Sequence, residues 1–367
     1  MATNRLRLDQ LSPKRIALIK PSALGDIIHA LPVLNALKEF YPKTEIIWIV
    51  QENYANLIKE HSAIQELITF DRQLFRGNPI SIYRKVKAFT RQLRKYSFDL
   101  ALDLQGLFRS GLITYFTGAA YRIGLSNARE GSRWFYTDIL TAPPLRSEHA
   151  VDRNWRFVQA LWNRERNPRE PSKQYHLPVP IEQLNWARNE LKALPRPVIV
   201  LSPGSRWETK RWPVPSYAEL IRRMRLSCPG SVLLIGSADE AVLGEQLLNQ
   251  LGNSGMNNIR NWIGKTEFTQ LLALISSADM VIANDSGPLH LAVALGKPVL
   301  APYTCTKVEL HGPYGSFKTA VQTQVSCAGS YIRQCSHMSC MKDLTPDRLW
   351  PIFAEMLQQW SLNNRLL

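Results

Sequence analysis

A polar turn, Asn284-Asp285-Ser286-Gly287, follows the short apolar segment Met280–Ala283. Leu289–Leu295 predicts a buried helix and Pro298–Ala301 a further strand, which together form a βαβ unit of a parallel sheet. Ligands bind beyond the carboxyl ends of the strands in such sheets, and the free N–H groups that start a helix attract anions. The turn is therefore predicted to bind a negatively charged ligand.

A second turn near the amino terminus places the carboxylate of Asp26 between an apolar strand, Arg15–Lys20, and a helix predicted over Asp26–Phe40. An aspartate at this position can simply cap the helix. An exposed carboxylate at the edge of a sheet can also act as a general base. The turn has one glycine, Gly25, and lacks the GxGxxG spacing, so a dinucleotide cradle is poorly supported.

The length of 367 residues and the 45% hydrophobic content suffice for two ordinary domains. No apolar run approaches the ~20 residues of a membrane span, and residues 1–21 lack a signal-peptide core, so we expect a cytoplasmic protein. Five cysteines form no CxxC pair. The spacing of Cys327, Cys335, His337 and Cys340 matches no common zinc pattern, which favours structural or incidental thiols and predicts no metal.

The formal charge of +15 is concentrated in the first half of the chain, where residues 1–175 contain 27 Lys and Arg against 16 Asp and Glu. Residues 72–95 contain eight of these basic residues and no acidic residue. Ile82, Val86, Phe89 and Leu93 recur there at helical spacing. The segment is either a solvated helix with one apolar face or a surface for an anionic acceptor or membrane.

Alternating strands and helices occur twice along the chain, which predicts an α/β protein with parallel sheets. The Pro-rich interval 167–180 reads as a linker between the two series. We therefore predict two Rossmann-like domains facing across a cleft, over residues 1–175 and 176–345. A last helix within 346–367 is expected to pack back on the first domain.

Five motifs occur in a fixed order from about residue 15 to about residue 345, namely Lys20–Pro32, Asp103–Gly106, Tyr121–Gly124, Lys210–Pro213 and Asn284–His290, and two further segments are Asn127–Glu130 and Glu148–Arg153. The chain resembles glycosyltransferase family 9, the ADP-heptose:lipopolysaccharide heptosyltransferases, and in two further segments it is similar to the heptosyltransferase I branch. The resemblance implies a GT-B fold, an inverting mechanism without a metal or other cofactor, and transfer of heptose from ADP-heptose to the Kdo region of the lipopolysaccharide inner core.

Roles for individual residues follow from this resemblance and from the chemistry of sugar transfer. Asp26 is expected to be the general base, and fixed positive charges are expected around the leaving diphosphate. Asp285 binds sugar hydroxyls or caps its helix, and His290 reaches the donor or is a buried structural histidine. The predicted donor-binding residues are Gly204, Ser205, Lys210, Glu240, Asp285, Ser286, Gly287 and His290.

Acceptor recognition is assigned to the basic first domain, because Arg guanidinium groups bind the carboxylates and phosphates of Kdo-lipid A sugars. Arg129 is the first choice, followed by Arg109 and Arg122. The cationic face would also hold the protein at the inner leaflet of the membrane. Two other functions remain open: another GT-B enzyme such as a nucleotide-sugar epimerase, and a nucleic-acid binder suggested by the pI of 9.7 alone. No nucleic-acid partner is predicted, because no binding module is recognisable.

Overall fold

The computed structural model describes residues 7–252 and 258–365. The chain divides into two compact units, Met1–Pro178 and Val179–Leu367, so the boundary lies three residues beyond the predicted one. It falls inside the Pro-rich interval, between a helix that ends at Leu161 and one that begins at Ile181. This interval forms no helix or strand and therefore makes a natural boundary.

The first unit alternates strands and helices as the apolar pattern predicts. Its strands are β1 (Arg15–Ile19), β2 (Glu45–Gln51), β3 (Glu66–Phe70), β4 (Leu100–Asp103), β5 (Tyr121–Leu125) and β6 (Asp138–Leu140). Its helices are α1 (Leu24–Ile28), α2 (Leu31–Phe40), α3 (Ala55–Ile58), α4 (Pro79–Arg94), α5 (Phe108–Phe116) and α6 (Ala150–Leu161).

The described strands of this unit form one parallel sheet in the order β3-β2-β1-β4-β5-β6. This is the Rossmann order. The strands β1 to β3 extend the sheet in one direction and β4 to β6 in the other, so the strand order reverses between β1 and β4. Ligands bind beyond the carboxyl ends of the strands at this switch point. The turns that follow Ile19 and Asp103 therefore lie where a site is expected.

The helix predicted over residues 26–40 is divided into α1 and α2. Pro32 occupies the first turn of α2, where its missing N–H costs nothing. Farther along the chain, the basic segment forms α4, which buries Phe89 and Leu93 and exposes most of its cationic side chains. Within the described residues, no helix has the length and apolar character needed to cross a membrane.

The second unit repeats the same architecture. Its strands are β7 (Val198–Ser202), β8 (Ser231–Leu234), β9 (Ile259–Asn261), β10 (Met280–Ala283), β11 (Val299–Tyr303) and β12 (Ala320–Gln322). Its helices are α7 (Ile181–Leu191), α8 (Val214–Ser227), α9 (Ala241–Leu251), α10 (Phe268–Ser277), α11 (Gly287–Ala294), α12 (Val308–His311), α13 (Ser339–Asp343) and α14 (Pro346–Arg365).

The order of the described strands, β12-β11-β10-β7-β8-β9, is again the Rossmann order, with every pair parallel. The switch point lies between β7 and β10. The apolar side chains of β7 and β10 are buried on both faces, as expected for a covered parallel sheet. The turns that follow β7 and β10 contain most of the predicted donor-binding residues.

The last helix, α14, was predicted to pack back on the first domain. Its apolar residues Leu349, Phe353, Met356 and Leu357 join the core of the second unit. α14 contacts α8 and β11 there, so the burial that its apolar face requires is supplied by its own unit.

Candidate active site

Asp26 lies in the first turn of α1, directly beyond the carboxyl end of β1. Its Oδ2 accepts a hydrogen bond from the Ala23 N–H at 3.2 Å, so the carboxylate closes the turn that begins the helix. The side chain is half-buried. A carboxylate in this position both holds the turn and remains within reach of a ligand.

A cavity of about 140 Å³ opens beside Asp26, within the first unit. Both sides of the switch point contribute to it, because Asp103 ends β4 and Gln105 follows that strand, as Asp26 follows β1. Arg153 enters from α6, whose first turn is capped by the His149 ring through the Val151 N–H at 3.1 Å. The remaining lining residues are Lys20, Leu104, Gly106, Leu125, Asn127, Ala128, Arg129 and Leu145.

Lys20 and Asp103 form the buried floor of this cavity, at 2% and 1% exposure. Burial lowers the pKa of Lys20, while the charge of Asp26 opposes that shift. Lys20 Nζ donates to the Leu104 carbonyl at 2.9 Å. The cavity thus holds three basic side chains, Lys20, Arg129 and Arg153, against two carboxylates. An anionic ligand would complete its charge balance.

Asp103 is the anchor of the turn after β4. It accepts hydrogen bonds from the Gln105 and Gly106 N–H groups and from the hydroxyls of Ser110 and Tyr136, the last at 2.6 Å. Burial raises the pKa of Asp103, and these four donors oppose the shift. Because its acceptor capacity is used by the fold, we assign Asp103 a structural role.

The three arginines predicted for acceptor binding are placed differently. Arg129 lines the cavity, and its N–H donates to the Gly106 carbonyl at 2.8 Å, which joins the turns after β5 and β4. Arg109 is exposed in the first turn of α5, with its guanidinium 5.9 Å from the Phe75 ring. It lies beyond the carboxyl end of β4, as Gln105 does, but does not line the cavity.

Arg122 lies near the amino ends of the strands, at the end of the sheet away from the cavity. It is the second residue of β5, and the carboxyl end of that strand, Leu125, is the part that reaches the cavity. The Arg122 guanidinium donates to the carbonyls of Phe135 and Ala119 at 2.9 and 2.8 Å. These hydrogen bonds stabilise the first unit itself, so binding of the sugar acceptor by Arg122 is not supported.

In the second unit, Asp285 is the centre of a buried polar network beyond β10. Its Oδ2 lies 2.6 Å from Lys210 Nζ and accepts a hydrogen bond from Thr306 Oγ1 at 2.6 Å. His290 Nε2 lies 3.8 Å from its Oδ1. Burial alone would raise the pKa of Asp285, but His290 and the charge of Lys210 outweigh it and hold the pKa well below its usual range. Asp285 is therefore an ion-pair partner, and no side chain caps α11.

The start of α11 retains groups that a ligand could use. Ser286 is its N-cap residue, and within the described part of the chain Ser286 Oγ is buried without a hydrogen-bond partner. The first N–H groups of the helix, beginning at Gly287, have no partner inside the helix. This arrangement is suited to an anion or a hydroxyl group.

Glu240 and Gly204 lie against each other. A Cβ atom added to Gly204 would come within 1.9 Å of Glu240 Oε1, and one added to Gly236 within 2.7 Å of Oε2. Glu240 Oε2 also accepts the Ser237 N–H at 3.0 Å. Because neither glycine has a Cβ atom, the Glu240 carboxylate fits beside the turn after β7.

Asn284 joins the turns after β7 and β10. Its amide donates to the carbonyls of Pro203 and Gly204, and its Oδ1 accepts from the Trp212 N–H and the Tyr217 hydroxyl. Ser205 adds a weaker contact from its hydroxyl to the Asp285 carbonyl at 3.4 Å. The structure thus brings the eight predicted donor-binding residues to neighbouring turns of one sheet edge.

The family model for glycosyltransferase family 9 (heptosyltransferase) matches residues 86–341, which is more than half of the chain. The chain belongs to glycosyltransferase family 9. It is similar to the lipopolysaccharide core heptosyltransferase OpsX of Haemophilus influenzae, with 27% identity over 84% of both chains. It is also similar to lipopolysaccharide heptosyltransferase 1 of Pseudomonas aeruginosa, with 28% identity over 90% of this chain and 89% of the relative.

Solved structures agree on the fold of this glycosyltransferase. Escherichia coli ADP-heptose lps heptosyltransferase II has a TM-score of 0.74 and 24% identity, over 94% of this chain and 99% of that one. E. coli heptosyltransferase WaaC with ADP-2-deoxy-2-fluoro heptose has a TM-score of 0.70 and 22% identity, over 93% and 99%. At these identities the likeness shows the fold, which is GT-B as predicted.

The five cysteines of the glycosyltransferase are free thiols, and burial raises the pKa of Cys340. Among the described residues, no group of three or more His, Cys, Asp or Glu side chains is arranged to hold a metal ion. Cys305 is nearest to the donor turns, because its Sγ lies 3.3 Å from Thr209 Oγ1.

Four further residues of this glycosyltransferase belong to the site without having been given a role from the sequence. Lys20 and Asn284 lie inside the family motifs, and Arg153 lies inside a segment similar to the heptosyltransferase I branch, so these motifs could have marked them. Thr306 lies outside every motif, and its contact with Asp285 arises only because β11 is the neighbour of β10.

Proposed function

We propose that this glycosyltransferase moves heptose from ADP-heptose to the Kdo region or inner core of lipopolysaccharide, with inversion and without a metal requirement. The observation that carries the proposal is the position of Asp26 in a cavity lined by Arg129 and Arg153. Relatives that are named lipopolysaccharide heptosyltransferases support the transferred sugar and the acceptor class.

In the proposed reaction the oxygen of an acceptor hydroxyl forms a bond to the anomeric carbon of heptose. The bond from that carbon to the β-phosphate oxygen breaks, and the electron pair leaves with ADP. The proton of the hydroxyl passes to Asp26. Attack from the face opposite the diphosphate inverts the configuration.

Acceptor binding is assigned to Arg129 and Arg153, with Arg109 as a secondary contact. Guanidinium groups bind carboxylates and phosphates through paired donors. A Kdo sugar has a carboxylate, which would offset the excess of basic groups in the Asp26 cavity. On the donor side, Lys210, the N–H groups at Ser286 and Gly287, and the dipole of α11 are assigned to the leaving diphosphate.

Incubation with ADP-heptose and a Kdo-lipid A acceptor tests this function directly. We expect ADP release that depends on the acceptor. Conversion of the sugar without an acceptor would indicate an epimerase instead. Absence of both reactions, with salt-sensitive retardation of DNA or RNA, would indicate a nucleic-acid binder.

Gly204→Ala tests whether Glu240 binds the nucleotide-sugar donor. The added methyl group would displace the Glu240 carboxylate, which can rotate away, so we expect little loss of stability. ADP affinity measured by calorimetry should fall about 10-fold, in line with the loss of one charged hydrogen bond.

The Gly204→Ala/Glu240→Ala double variant is the matched control. It removes the steric conflict, so the two substitutions together should cost no more affinity than Glu240→Ala alone. Additive losses would mean that the turn after β7 and Glu240 act separately, and would contradict this assignment.

We also propose that the first unit binds the inner leaflet through an interfacial face, defined as Ile80, Tyr83, Lys87, Arg91, Phe108 and Trp134. Trp134 and Ile80 are 84% and 67% exposed, so this face presents large apolar side chains to solvent. The face spans neighbouring elements, because α4 contacts α5, and α5 contacts the 3-10 helix of Trp134. Aromatic rings beside cations suit an anionic membrane surface.

Sedimentation with vesicles tests this surface. Lys87→Gln/Arg91→Gln should weaken binding to phosphatidylglycerol-containing vesicles about 5-fold for each charge removed. Trp134→Ser should weaken it as well, whereas Leu226→Ser, at a residue that is 90% exposed on the second unit, should not. Equal losses in the Trp134 and Leu226 variants would contradict the proposed face.

A further inference from the structure

Trp207, in the turn after β7, has two cations close to its indole ring. Lys210 Nζ lies 4.5 Å and the Arg333 guanidinium carbon 4.8 Å from the ring centroid. An aromatic ring attracts cations to its face and restrains them there. Trp207 therefore holds the exposed Arg333 side chain near Lys210, although the two residues are far apart in sequence.

The two cations differ in their charge balance. Lys210 is paired with Asp285 at 2.6 Å, so this pair has no net charge. Arg333 forms no ion pair with any other described residue, and its side chain is exposed. An anion that approaches the Lys210–Asp285 pair would therefore be attracted mainly by Arg333, whose positive charge is not neutralised by a carboxylate.

The backbone around Arg333 is fixed to the donor turns. The Tyr331 N–H donates to the Cys305 carbonyl at 2.7 Å, and Thr209 Oγ1 donates to the Ile332 carbonyl at 2.7 Å. The Tyr331 hydroxyl also lies 3.1 Å from His311 Nε2. Arg333 thus follows two residues that are bonded to donor turns, Tyr331 to the turn after β11 and Ile332 to the turn after β7, which keeps its side chain near the carboxyl ends of these strands.

We infer that Arg333, oriented by Trp207, contacts the diphosphate of the nucleotide donor and supplies a positive charge that is not offset by a carboxylate, as the charge of Lys210 is by Asp285. A planar guanidinium can bind two phosphate oxygens at once while its face stacks on an aromatic ring. This inference rests on the proposed function, because it assumes a nucleoside diphosphate donor. It assigns Trp207 a positioning role and Arg333 a direct contact.

Calorimetry with ADP and with AMP on the full chain tests the inference. Arg333→Ala should weaken ADP binding roughly 10- to 100-fold, the effect of losing a charged hydrogen bond. AMP binding should change less than about 3-fold, because AMP lacks the second phosphate. Arg333→Lys should recover part of the loss, and Trp207→Leu should reproduce it in part by freeing the guanidinium.

Arg206→Ala is the matched control, since Arg206 is exposed and adjacent to Trp207 in sequence. It should leave the ratio of the ADP and AMP affinities unchanged. The inference is overturned if Arg333→Ala lowers both affinities equally, or if Arg206→Ala has the same effect as Arg333→Ala. If the unmodified protein binds no ADP, the proposed function itself fails, whereas ADP binding that is independent of Arg333 removes this inference alone.

Discussion

Asp26→Asn is expected to reduce heptosyl transfer by roughly 10²- to 10⁴-fold, the usual contribution of a general base. The amide oxygen can still accept the Ala23 N–H, so the turn before α1 should persist. ADP affinity should stay near that of the unmodified protein, because the assigned donor residues belong to the second unit. Acceptor-dependent ADP release measures the first effect and calorimetry the second.

Asp71→Asn provides a matched control in the same unit. Asp71 caps a short 3-10 helix by accepting the Gln73 N–H at 3.0 Å, so it has the local role of Asp26 without the cavity. We expect its transfer rate to be unchanged. A normal rate in Asp26→Asn would remove Asp26 from the mechanism and leave it a helix-capping residue.

Asp285→Ala is expected to lower the free energy of unfolding by about 3–5 kcal/mol, the cost of leaving a buried partner charge unpaired. Lys210 is 16% exposed and would lose its counterion, while Thr306 would lose its acceptor. Urea unfolding measures this change. Asp347→Ala, which breaks the exposed pair with Arg223, should cost less than about 1 kcal/mol.

The pH dependence of the same variant has a definite sign. The pKa of Asp285 is lower in the folded protein than in the unfolded chain, so its contribution is fully present above the ordinary aspartate pKa of about 3.9. The contribution is lost as the pH falls from there toward the folded pKa. The stability difference between the unmodified protein and Asp285→Ala should therefore be constant at neutral pH and narrow below about pH 4. A constant difference down to pH 2 would contradict the ion-pair assignment.

The strands beside the two switch points were predictable because they are continuous apolar runs with buried neighbours on both faces. Met280–Ala283 was predicted with the observed bounds, and the predicted strand Arg15–Lys20 ends one residue beyond the observed β1. The segments Asp138–Leu140 and Ala320–Gln322 were not predicted, because each is a three-residue edge strand without a clear apolar period. The outer strands depend on pairing with a neighbour more than on their own sequence.

The site was predictable where a residue follows a recognisable strand. Asp26 and Asp285 were selected in this way. The same strand-turn pattern led to Glu240, and the structure then placed Glu240 beside Gly204. Arg122 was selected for its charge, but its place at the amino end of β5 puts it at the wrong edge of a parallel sheet. Arg333 could not be selected from sequence, because its position depends on stacking against Trp207.

The four hydrogen bonds of Asn284 have a consequence for the dynamics of the second unit. Because both ends of its amide are bonded across the switch point, neither of the turns after β7 and β10 can open without breaking bonds to the other. The two turns should therefore exchange their amide hydrogens as one cooperative unit, with a common free energy of opening.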